Sequence, residues 1–115
     1  MYHFSYDEIV DDSGASSRER ERLALDRSIE LLKEASEKGP HSKAALEALL
    51  YVRRLWSLLL DDLARPGNDL PAKLRADLIS IGFWIMRESD LVRDGQARSF
   101  KGLIDISSII RDGLK

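Results

Sequence analysis

A chain of 115 residues with 43% apolar and 33% charged side chains has the balance of one globular domain with a single core, not of a disordered segment. Eighteen Lys and Arg against twenty Asp and Glu leave a net charge of −2, which removes the basic footprint of a general nucleic-acid binder and argues against DNA as a partner. The lack of cysteine excludes disulfides, thiolate catalysis and Cys-based metal centres.

The chain opens on an aromatic arm, residues 1–14, carrying Tyr2, Phe4 and Tyr6. Ser5-Tyr-Asp-Glu8 has the form of a capping box, so a short helix is expected through about Asp11, with Gly14 ending it. The aromatic side chains suit docking on the domain's own core, or an arm that binds or swaps with a partner. This opening lacks the basic flank and apolar run of a signal peptide, so the expected location is the cytoplasm.

Ser16 and Glu19 form a second capping box, and a helix is expected over 16–38, stopped by Gly39-Pro40. Leu25, Ile29, Leu32 and Ala35 line its inner face, with Leu31 beside them. Arg18-Glu-Arg-Glu-Arg22 alternates in sign, the pattern of a solvated face, and its Glu residues cancel the field that an RNA partner would need. Glu34 and Lys38 form a favourable i,i+4 pair.

The third expected helix, 41–64, contains LEALLYVRRLWSLLLDDLA, without Gly or Pro and with Val52 as its only β-branched residue. At about 100° per residue, Ala45, Leu49, Val52, Trp56, Leu59, Leu60 and Leu63 share one face and Glu47, Arg54 and Asp61 lie opposite. Leu50, Tyr51 and Leu58 fall toward the polar side, so the helix is more apolar than one buried face requires. Arg53, Arg54, Asp61 and Asp62 interrupt the run well short of the roughly 18 apolar residues of a membrane span, and no membrane partner is expected.

Arg65-Pro-Gly-Asn-Asp69 is a turn cluster, and Pro71 suits the first turn of a helix over 70–94 that ends at Gly95. Leu74, Leu78, Ile81, Ile85 and Val92 form one stripe, Ile79, Phe83 and Met86 a second, while Trp84 and Leu91 point a third way. Only Ser80 and Arg87 mark a polar line. Gly82 inside this helix costs about 1 kcal/mol relative to Ala and predicts close approach of another helix. The last helix, 99–113, is expected to start at Ser99 and to be capped by Gly113, with Phe100, Leu103, Ile106, Ile110 and Leu114 on one face, Ile104 at its edge and Ile109 outside it. No strand, repeat or low-complexity tract interrupts this series. The expected fold is all-α, a single bundle of about four main helices plus a short N-terminal one.

Catalytic signatures are missing. His3 and His41 belong to no metal-ligand spacing, and there is no Gly-rich phosphate loop or nucleophile elbow. Asp61 and Asp62 diverge by about 100° and read as solvated acids near Arg65. Arg53 and Arg54 suit a phosphate or partner carboxylate, or bridges to acidic residues of a neighbouring helix. The two tryptophans read as core anchors. No enzyme, cofactor or metal is expected. The surplus apolar residues off the main stripes give the expected partner-binding set: Tyr51, Leu58, Phe83, Trp84 and Leu91, with Arg54 and Arg87 as polar anchors.

Three stretches, Arg53-Arg-Leu-Trp56, Asp77-Leu-Ile-Ser-Ile-Gly-Phe-Trp-Ile-Met-Arg-Glu88 and Phe100 to Leu114, together resemble the flagellar biosynthesis regulator FlaF family. The opening Met1 to Ile9 and Arg18 to Arg22 are similar too, so the resemblance covers essentially the whole chain. It implies a small cytoplasmic protein that promotes flagellin synthesis or secretion, with flagellin as partner. A second regulator of the FlbT type, which restrains flagellin translation, is the alternative partner the resemblance implies. Post-transcriptional control through that regulator or through flagellin messenger RNA is the alternative function.

Overall fold

The computed structural model describes residues 17–95 and 99–113. The expected N-terminal helix, Ser16 and Leu114 lie outside these residues. Four helices make up the described fold: α1 (Ser17–Lys38), α2 (Lys43–Ala64), α3 (Ala72–Arg93) and α4 (Lys101–Gly113). No strand occurs among the described residues, and the fold is the all-α bundle that the periodicity requires.

Local chemistry sets the helix ends. Gly39, at φ +100°, takes the left-handed conformation that closes α1, and its N–H donates to the Ala35 carbonyl at 2.8 Å. The Ser42 hydroxyl accepts the Ala45 N–H at 3.0 Å and so caps α2. Beyond α2, Asn68 holds the turn from both sides. Its Nδ2 donates to the Asp62 carbonyl at 3.1 Å and to the Asp62 carboxylate at 3.2 Å, while its Oδ1 accepts the Leu70 N–H at 3.0 Å. Asp62 is therefore a turn-fixing acid, not the solvated acid near Arg65 that its neighbours suggest. The Asn68 bond keeps Leu70 out of helical geometry. As a result Pro71 is the cap of α3 and not its first helical residue, with the Pro71 carbonyl taking the first helical bond from Arg75 at 2.9 Å. Gly113 is still helical in α4.

Helices α1 and α2 form the centre, each covered by two neighbours: α4 packs on α1 and meets α3 only narrowly, while α2 packs against α1 on one side and α3 on the other. The double cover widens the buried arc of α2, so Ala48 and Leu55 are fully buried alongside the expected Leu49, Val52, Trp56 and Leu63. Each such large side chain contributes about 1.5–3 kcal/mol by leaving water. Leu25, Leu32 and Ala35 of α1, Ile85 and Val92 of α3, Leu103 of α4 and Phe100 just before it join this core.

The α2–α3 seam is close because Gly82 has no side chain. A Cβ there would lie 2.7 Å from Leu60 Cδ2 and 2.9 Å from Trp56 Cε3. Leu60 is accordingly half-buried against this backbone and does not sit in the central layer. Farther along the seam, Arg53 forms an ion pair with Asp90, and Arg93 reaches the same Asp90 oxygen at 3.6 Å. Of the two roles that the sequence leaves open for Arg53, the helix bridge is the one found. Both partners of this bridge keep about two-fifths of their side-chain surface, so a double-mutant cycle on Arg53→Ala and Asp90→Ala should give a coupling energy of about 0.5–1 kcal/mol. That energy should shrink in 1 M salt; an undiminished value would mean the pair is shielded from solvent.

A second bridge fixes α4 to α1. Arg111 donates to Asp26 at 3.1 Å, and Arg22 approaches the other Asp26 oxygen at 3.6 Å. Hydrogen bonds to Asp112 and then Asp26 raise the Arg111 pKa above its already high ordinary value, so this link stays cationic at every working pH.

Candidate partner-binding surface

Phe83, Trp84 and Arg87 stand on the outside of α3. Phe83 is 64% exposed and Arg87 follows one turn later on the same line. Trp84 is 41% exposed, so only one of the two tryptophans is a core anchor. The Trp84 indole leans over the first turn of α4: a Cβ on Gly102 would lie 3.2 Å from its Cη2. Leu91, two turns on from Trp84, is half-buried on that same side.

The remaining expected residues lie elsewhere. Tyr51, Arg54 and Leu58 are half-buried on α2, and Tyr51 and Leu58 pack against the core cluster. At about 100° per residue they fall roughly opposite Arg53 and Leu60, which face α3. The fold thus divides the seven expected residues into an α3 group and an α2 group on different flanks. Ile109, outside the apolar face of α4, is 67% exposed.

One concave feature has no signature in the sequence. Where α3 begins and α4 ends, the two helices diverge over a cavity of about 550 Å³. Leu25, Trp56, Leu59 and Leu63 form its floor, and Leu74, Leu78 and Ile110 its walls. Leu74 belongs to the core stripe of α3 by periodicity, yet it is 42% exposed because α4 has already turned away. Glu21, Asp62 and Asp69 stand around the opening.

No group of three or more His, Asp or Glu side chains among the described residues is placed to hold a metal ion. No described helix is long and apolar enough to cross a membrane. The outside of α3 carries the exposed apolar side chains Phe83 and Trp84, with Arg87 one turn after Phe83.

The family model of the flagellar protein FlaF matches residues 2–114. The chain belongs to the FlaF family. No curated protein and no solved structure matches it. Membership makes this a flagellar protein, and the structure shows what the FlaF-like stretches do locally. Arg53 and Trp56 meet Asp90 and Gly82 across the α2–α3 seam, and Gly102 lies under Trp84. Much of the resemblance therefore lies in packing residues, with Ile109, Phe83 and Trp84 as its most exposed large apolar members among the described residues.

Proposed function

We propose that this FlaF-family protein binds unassembled flagellin and promotes its synthesis and secretion. The observation that supports this reading most is the exposure of Phe83 and Trp84 at successive positions of α3, with Arg87 one turn after Phe83. Large apolar side chains grouped on a surface mark contact sites for other proteins. Flagellin termini pair as coiled-coil helices only in the assembled filament, so before export their apolar stripes lack partners. A helical protein with apolar surface to lend covers them, and by covering them delays premature assembly. Ordering such termini consumes about 2–5 kcal/mol of the interaction energy, which keeps affinity moderate and release feasible.

Phe83→Asp tests the surface with little risk to the fold, because Phe83 has no buried role to lose. Affinity for the organism's own flagellin should fall by about 30-fold or more, the effect of removing a central contact residue, while the melting temperature stays within a few degrees. Unchanged affinity in a folded Phe83→Asp variant, repeated with Trp84→Ala, would remove this surface from the interface.

A further inference from the structure

Leu74 marks the point at which the apolar stripe of α3 runs out of cover. It lies on the same helix face as Ile85 and Val92, both fully buried, yet two-fifths of it is in water. Opposite stands Ile110 of α4, and the core side chains Trp56, Leu59 and Leu63 lie between them at the bottom of the groove. A cavity of about 150 Å³ holds one benzene ring, so this groove has room for roughly three or four apolar side chains, the stripe that two turns of helix present. Among the described residues its margin is acidic: Glu21, Asp62 and Asp69 line it, and no described Lys, Arg or His does.

The geometry points to this groove as the seat of an amphipathic helix from a partner protein, whose apolar stripe fills the floor and whose flanking Lys or Arg meet the acidic margin. Apolar filling supplies the affinity, and the charges select orientation and partner. The chain's own opening segment, with Asp7, Glu8, Asp11 and Asp12, has the wrong sign for this margin. The proposal deepens the flagellin reading and rests on it for the identity of the helix's owner; the seat is tested without flagellin.

The probe is a fluorescein-labelled helical peptide with Leu on one face and Lys along its flanks, titrated into the full-length protein by anisotropy. A peptide with Glu in place of Lys serves as its counterpart. The Lys peptide should bind, and the Glu peptide should bind at least about tenfold more weakly. Leu74→Asp should weaken the Lys peptide by about tenfold or more, although the added negative charge would strengthen a purely ionic contact. Asp69→Lys, at an exposed loop position, should weaken it several-fold, and Phe83→Asp should leave it unchanged. Equal binding of both peptides, or full affinity in the Leu74→Asp variant, would overturn the proposal. A gain of about tenfold on replacing Phe4 and Tyr6 with Ser would assign the groove to the chain's own N-terminal residues and overturn it as well. Peptide binding with these sensitivities, alongside no binding of flagellin, would support the seat and end the flagellin reading alone.

Discussion

Trp56→Ala is expected to lower the unfolding free energy by about 3–5 kcal/mol, the loss found when a large aromatic leaves a packed core. Trp56 is 2% exposed, sits under Gly82 of α3 and forms part of the groove floor, so no neighbour can collapse into its place without reopening the α2–α3 seam. Against a usual total of about 5–15 kcal/mol, such a loss leaves a marginal protein. The midpoint of thermal unfolding should drop by roughly 10–20 °C for a chain of this size. Trp84→Ala should cost clearly less, because Trp84 keeps 41% of its surface in water. Equal losses at the two tryptophans would contradict the difference in their burial.

Gly82→Val should destabilise by about 3 kcal/mol, at the upper end of what overpacking a core produces. The Cβ position is already within 2.9 Å of the Trp56 ring, a rigid and buried group, and within 2.7 Å of the Leu60 side chain. Leu60 can turn aside; the indole cannot without moving α2. The more telling variant is Gly82→Ala. Helix propensity alone favours it by about 1 kcal/mol, so a seam without close contact would be stabilised. Here displacement of Trp56 outweighs that gain, and a net loss of about 1 kcal/mol is expected in urea unfolding. Stabilisation by Gly82→Ala would show that the helices do not approach as described.

The same glycine shows what the sequence makes legible. A helix-breaking residue inside an otherwise strong helix has few uses, and close approach is the one found. Helical periodicity likewise picks out the buried faces of α1 and α2, since Leu25, Leu32, Leu49, Val52 and Trp56 are covered as their spacing requires. Periodicity assigns a residue to a face but does not say how far the neighbouring helix extends along it. Leu74 and Ile85 are equivalent by spacing, and only the divergence of α3 and α4 makes one exposed and the other buried. For that reason the groove was invisible in the sequence. Tyr51 and Leu58 illustrate the converse: off-stripe positions on a central helix gain cover from a second neighbour. Arg53 could be read as a bridge, but its partner Asp90 lies on another helix and no local rule selects it. Asn68 was legible as a turn residue, while its grip on Asp62, which displaces the start of α3, depends on side-chain geometry.

The proposed function is that this FlaF-family protein holds flagellin before assembly. Its most direct test is a calorimetric titration of the full chain with its own unassembled flagellin at several temperatures. A saturable one-to-one complex with a negative heat-capacity change is expected, the mark of apolar surface leaving water. Absence of binding at high micromolar flagellin would contradict it and move the function to a FlbT-type regulator or to flagellin messenger RNA.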